Sequence, residues 1–169
     1  MTNTTVINLY GGPGTGKSTT MSSVFTEMKR RCMSVEMAPE WVKLPVWAGE
    51  NHVLEDQLYI FAKQNRMLRQ LNGKVDFIIT DAPLLLSMVY SDDWPLHRLV
   101  RYVMSTYFNC HVFLNRVKPF SPRGRVHDEA ESLELDREVR SMLSRETSDP
   151  FHTVDADAHG AAQIVNWFV

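Results

Sequence analysis

Apolar residues along this 169-residue chain switch repeatedly between two patterns: short unbroken runs, and runs spaced by three and four. Residues 6–10 (Val-Ile-Asn-Leu-Tyr) and 75–80 (Val-Asp-Phe-Ile-Ile-Thr) are short and largely apolar, which predicts strands buried on both faces. The second of these is the one expected at the centre of the sheet. Residues 34–38, 111–114 and 151–154 predict three further strands. Helical spacing fills the intervals. Residues 18–31 place Met21, Val24, Phe25 and Met28 on one face. Residues 54–71 carry a stripe of Leu54, Leu58, Phe61, Leu68 and Leu71, and Asn72-Gly73 ends that helix. Residues 95–108, 133–145 and 158–168 predict three more helices. Strands that alternate with helices imply an α/β fold in three layers: a five-stranded parallel sheet with helices on both faces, in a single domain over residues 1–169. Ligands of such sheets bind beyond the carboxyl ends of the strands, so the loops after residues 10, 38, 80, 114 and 154 are where chemistry is expected.

The first of those loops carries a complete motif. Gly11-Gly12-Pro13-Gly14-Thr15-Gly16-Lys17-Ser18 follows a strand and opens a helix, the context in which G-x-x-x-x-G-K-[ST] cradles phosphates. Its glycines let backbone N–H groups close around an anion. Lys17 reaches the β- and γ-phosphates, the Ser18 hydroxyl suits Mg²⁺, and Thr19 adds an N–H of the first helical turn. The cofactors implied are ATP and Mg²⁺.

Three other elements qualify this picture. Asp81 ends the 75–80 strand, where an acid can hold the metal with Ser18 or accept a proton; Asp81-Ala82-Pro83 also reads as turn chemistry. Glu40 follows the 34–38 strand beside Trp41 and Trp47. It reads equally as a base or hydroxyl grip for a second substrate and as a solvent-facing glutamate beside core tryptophans. Arg116, Lys118, Arg123 and Arg125 form a basic loop broken by Pro119, Pro122 and Gly124, which predicts a lid over residues 116–131. Gln57, Gln64 and Arg66 lie on the long helix; Gln57 and Gln64, seven apart, share a face that could meet substrate, but all three read rather as polar side chains in water. Asp155 and Asp157 read as a turn, and His127 is the one histidine worth following.

Composition adds limits. The chain is 44% hydrophobic and 22% charged with net charge −2, so no global basic field marks a nucleic-acid binder. Two distant cysteines, Cys32 and Cys110, fit reduced thiols of a cytoplasmic protein. No run is long enough to span a membrane, and the polar start with no basic leader predicts no signal peptide. A guanine-reading Asn-Lys-x-Asp is replaced by Asn115-Arg116-Val117-Lys118, against a GTPase switch. Ala82 follows Asp81 where a ring-forming mechanical ATPase carries Glu, and the length leaves no room for that class's helical subdomain.

Residues 7–20, Glu40-Trp41, Leu54-Glu55-Asp56-Gln57 and the string from Val75 to Pro83 resemble bacteriophage P-loop proteins of the nucleoside and nucleotide kinase type, the thymidylate-kinase-like group among them. One branch of that group phosphorylates 5-hydroxymethyluracil within phage DNA, and another relative acts on nicotinamide riboside. The resemblance spans nearly the whole chain. It implies a central P-loop strand, an acceptor site near Glu40 and Asp81, a lid across Arg116 to Arg125, and a location in the host cytoplasm. Thymidylate kinases carry an Asp-Arg pair after the second strand, where this chain has Pro39-Glu40-Trp41. That departure favours an acceptor gripped by its base or sugar over a free monophosphate. The acceptors it leaves in view are a nucleoside-type hydroxyl, a monophosphate, and a modified base in DNA.

Overall fold

The computed structural model describes residues 4–119, 128–147 and 151–169. Five parallel strands form one sheet: β1 (Thr5–Tyr10), β2 (Val35–Ala38), β3 (Phe77–Thr80), β4 (Phe108–Asn115) and β5 (His152–Asp155), in the order β2-β3-β1-β4-β5. The P-loop strand β1 is therefore the middle strand, and β3, expected at the centre, lies beside it. On β1, Val6 and Tyr10 face one side and Ile7 and Leu9 the other, and all four are fully buried. Side chains of a strand alternate between faces, so burial on both sides explains the unbroken apolar run. One face packs on α1 (Lys17–Arg30) and α6 (Ala158–Asn166), through Met21, Val24, Met28, Ile164 and Val165. The other face packs on α3 (Gln57–Leu71), α4 (Trp94–Met104) and α5 (Glu129–Glu146), through Phe61, Leu68, Val100, Val139 and Leu143. A short helix, α2 (Lys43–Trp47), and two 3-10 turns, Asn51–Glu55 and Leu84–Met88, complete the described chain.

Several elements depart from their predicted bounds for local reasons. The helix expected over residues 54–71 is split, because Asp56 caps α3 by accepting the Tyr59 N–H at 2.9 Å. Starting at Gln57 turns Phe61, Gln64 and Leu68 inward, and it leaves Leu58, expected in the buried stripe, 54% exposed. The helix expected over 95–108 stops at Met104, where the Asn109 amide donates to the carbonyls of Met104 and Tyr107. Strand β4 is twice the length expected, since it pairs along all of β1 from Thr5↔Phe108 to Tyr10↔Phe113. Its polar residues disguised it: Asn109 accepts from the buried Asn8 amide at 3.1 Å, and His111 Nδ1 lies 2.8 Å from the Tyr10 hydroxyl. Helix α5 begins earlier than its apolar spacing suggests, on a reciprocal capping box between Asp128 and Glu131.

Candidate active site

The site is built at the carboxyl edge of the sheet. Gly11 and Gly16 hold φ of +143° and +112°, conformations that favour glycine, and they turn the chain out of β1 and into α1. Helices α3, α5 and α6 each start on an aspartate whose side chain caps a backbone N–H. Helix α1 has no side-chain cap, so its N–H groups at Lys17, Ser18 and Thr19 stay open to an anion. Lys17 Nζ folds back onto the carbonyl oxygens of Gly11 at 2.6 Å and Gly12 at 3.0 Å. The Thr15 hydroxyl, buried, donates to Gly12 O at 2.7 Å and fixes the turn.

Asp81 lies where β3 ends and is 3% exposed. Its Oδ2 accepts from the Ser18 hydroxyl at 2.5 Å and its Oδ1 from the Glu40 N–H at 2.9 Å. The register Ala38↔Thr80 makes this possible, because it sets the residues that follow β2 and β3 side by side. Asp81 thus joins the start of α1 to the Glu40 loop. Two hard oxygen donors meeting at one point, Ser18 Oγ and a carboxylate, form a donor set that suits magnesium, which takes few protein ligands beside phosphate and water.

Glu40 is accessible on the wall of the cleft, yet protein on the surrounding wall raises its carboxyl pKa. Desolvation is the main cause, Lys17 and Lys43 oppose it, and Asp81 adds to it. The carboxyl therefore lies near Lys17 and Asp81. Of its two tryptophan neighbours, Trp47 is 66% exposed and so is no core residue. Trp41 packs edge-on to Tyr59 with centroids 5.2 Å apart, and Lys63 Nζ lies 4.9 Å from the Tyr59 centroid.

Gln64 corrects the sequence reading. It is 4% exposed, and its Oε1 accepts the Trp41 N–H at 3.0 Å. Its Nε2 donates to Ala38 O and Pro39 O, each at 3.2 Å. It is the buried brace that fixes the loop on both sides of Glu40. Gln57 caps the preceding 3-10 turn through Leu54 O, and Arg66 is exposed. Asp155 accepts from Asn115, and Asp157 caps α6 at Gly160, in agreement with the turn reading. Glu36 pairs with Lys29 outside the cleft.

The expected lid falls chiefly on residues 120–127, and Arg123, Arg125 and His127 lie outside the described residues. Arg116 at its near end is described. Its Nη2 donates to Ser132 Oγ at 2.6 Å, to Asp136 Oδ2 at 2.9 Å and to Pro13 O at 3.2 Å. Ser132 and Asp136, on α5, touch the P-loop and were missed. The available signal was position: 132, 136, 139 and 143 form one helical stripe that Val139 and Leu143 bury. Tyr90, also missed, sits in the cleft. It is 39% exposed, yet protein packed around its hydroxyl, with the carboxylates of Glu40, Glu138 and Asp136, pushes the hydroxyl pKa up to about 12.

No helix among the described residues is long and apolar enough to cross a membrane. No curated protein matches the chain in sequence. Solved structures share its architecture, two of them as follows. One is deoxyadenosine kinase from M. mycoides with bound dATP, 18% identical over 95% of this chain and 97% of that one, with a TM-score of 0.59. The other is the Mycobacterium tuberculosis APS kinase CysC in complex with AMPPNP and APS, 13% identical over 98% of both chains, with a TM-score of 0.56. At those identities the likeness is one of fold, a P-loop kinase-like sheet with its glycine-rich loop after the middle strand. In sequence, residues 6–159 match the family described as an AAA domain, and the chain belongs to that family.

Proposed function

We propose that this protein is an ATP-dependent phosphotransferase that moves the γ-phosphoryl group to a hydroxyl of a nucleoside-type acceptor. One observation carries the proposal: a single buried carboxylate, Asp81, is bonded both to Ser18 at the phosphate end and to the Glu40 backbone at the opposite wall. A kinase must hold the γ-phosphorus and the attacking oxygen about 3–3.5 Å apart, and a bridge of this kind fixes the spacing of the two walls that hold them. The P-loop N–H groups and Lys17 hold the triphosphate. Ser18 and Asp81 would hold Mg²⁺, which supplies neutralisation of phosphate charge when bound. Glu40 takes the proton of the attacking hydroxyl. Its raised pKa strengthens it as a base, because a proton is held more tightly by a desolvated carboxylate. Arg123 and Arg125, outside the described residues, carry the guanidinium chemistry that would neutralise charge on the transferring phosphoryl group. The deoxyadenosine kinase and APS kinase likenesses support a kinase of small nucleotide-like molecules at the level of fold. A 5-hydroxymethyl pyrimidine in DNA belongs to the same acceptor class and rests on the phage-like sequence resemblance and the missing Asp-Arg pair.

The test is transfer of label from [γ-³²P]ATP to a panel of nucleosides, monophosphates, and DNA with and without 5-hydroxymethyluracil, for wild type and Lys17→Ala. Label should enter a hydroxyl acceptor, and Lys17→Ala should abolish it while the fold persists, at a cost of about 10²–10³-fold or more. A DNA acceptor would show affinity that falls steeply with salt, and a free nucleoside would not. Hydrolysis without an acceptor, the reading favoured by the family's AAA description, is identified by release of inorganic phosphate that no panel member alters.

A further inference from the structure

Asp136 is separated from the P-loop by more than a hundred residues, yet its carboxylate reaches the loop directly. Its Oδ1 accepts the Gly12 N–H at 2.5 Å and lies 3.2 Å from the Thr15 hydroxyl, whose proton goes to Gly12 O. Its Oδ2 accepts from Arg116 Nη2 at 2.9 Å and Nε at 3.3 Å. Arg116 and Ser132 both donate to Pro13 O. The approach is close enough to select the sequence of the motif: a Cβ on Gly12 would lie 2.5 Å from Ser132 O and 2.9 Å from Asp136 Oδ1. The second glycine of the loop is thus needed because α5 presses on it.

The pair is largely out of water, with side-chain exposures of 13% for Arg116 and 17% for Asp136. Charge-assisted bonds in such surroundings are short and strong. Arg116 Nη1 is buried and has no acceptor among the described residues. Among those residues the guanidinium is held through Nε and Nη2 alone.

We propose that Asp136 is a positioning residue for nucleotide binding: it fixes residues 12–15 of the P-loop and holds Arg116 against them before nucleotide arrives. This rests on the reading of the loop as a triphosphate site. Without the carboxylate, the loop and the arginine must be ordered at the moment of binding, and that entropy is subtracted from affinity. A purely architectural role would lower melting temperature and leave the affinity of the folded protein unchanged. A role as an inhibitory counter-charge would make affinity rise when the charge is removed.

The experiment measures MgADP and MgATP affinity by titration calorimetry for wild type, Asp136→Asn and Asp136→Ala, at a temperature where circular dichroism shows each folded. Asp136→Ala should weaken both nucleotides by at least about tenfold, the size expected for loss of a hydrogen bond to a charged group. Asp136→Asn, which keeps an acceptor for the Gly12 N–H, should recover part of that loss. Unchanged or tighter binding in Asp136→Ala overturns the proposal while wild-type binding upholds the triphosphate reading. A wild type that binds neither nucleotide overturns both. Should the variants fail to fold, hydrogen exchange of the Gly12 amide in the nucleotide-free wild type decides the matter. Strong protection is expected, and exchange at the rate of an open loop overturns the assignment.

Discussion

Gln64 makes a sharp demand on the structure, because its amide is committed to the backbone around Glu40 and, at 3.3 Å, to the Thr80 hydroxyl. Replacing it with leucine keeps the volume and removes every polar partner. The Trp41 N–H loses the acceptor at 3.0 Å, and the carbonyls of Ala38 and Pro39 lose a donor at 3.2 Å. A buried N–H left without a partner costs about 1–3 kcal/mol, and the longer contacts to carbonyls add less. A total of about 2–3 kcal/mol follows. For a domain of this size each kcal/mol moves the midpoint by about 2–4 °C, so Gln64→Leu should lower the melting temperature by roughly 4–12 °C. Gln64→Glu discriminates further. Its carboxylate still accepts from Trp41 but faces two carbonyl oxygens, so its destabilisation should shrink as pH falls and the carboxyl becomes a donor. Arg66→Ala, on the exposed side of the same helix, is the control. Calorimetric melts at pH 7.5 and 4.5 measure all three. A Gln64→Leu protein that melts within about 1 °C of wild type would show that the brace contributes nothing and that the loop bearing Glu40 is held by other means.

Asp81→Asn should lower turnover far more than ATP affinity, because the carboxylate acts where charge develops and the amide cannot replace it; loss of affinity alone would make Asp81 a turn residue. Glu40→Gln should impair acceptor phosphorylation and leave ATP binding intact, and an equal loss of both would move Glu40 to the nucleotide side. His111 gives a pH dependence. Burial lowers its pKa to about 4 from 6.5, so the unfolded chain binds more protons between those values and stability falls as pH drops from 6.5 to 4. His111→Asn keeps an acceptor for the Tyr10 hydroxyl and should flatten that slope, by at most about 3 kcal/mol across the window; parallel urea-midpoint profiles for the two proteins would refute it.

The P-loop was legible because its signal is contiguous: strand, glycines, lysine and helix follow within fifteen residues. Asp81 was legible for a related reason, since the end of an apolar strand is a fixed place in this fold. Strand β4 was half hidden, because Asn109 and His111 break its apolar run and are satisfied only by Asn8 and Tyr10 on a neighbouring strand. The split of the helix before α3 was encoded at Asp56, a good cap that sits inside an otherwise helical spacing. The order of strands, with β1 in the middle, depends on pairings across seventy to a hundred residues that local pattern does not report.

Gln64, Ser132 and Asp136 were misread or missed for one shared physical reason. A polar residue on a helix is ordinarily assigned to water, and sequence spacing alone leaves that assignment standing. Yet each of the three occupies a stripe that apolar neighbours bury: Phe61 and Leu68 around Gln64, Val139 and Leu143 below Ser132 and Asp136. At the carboxyl edge of a parallel sheet the chain leaves the ladder, and its N–H and C=O groups have no strand to pair with. Buried backbone groups must be satisfied. Here the helices that cover the sheet supply the partners, α3 for the loop after β2 and α5 for the loop after β1. A polar residue within a helix's buried stripe, where that helix passes the carboxyl edge, is therefore a pointer to the loop it braces. In this protein both braced loops carry the candidate chemistry, Glu40 on one and the phosphate cradle on the other.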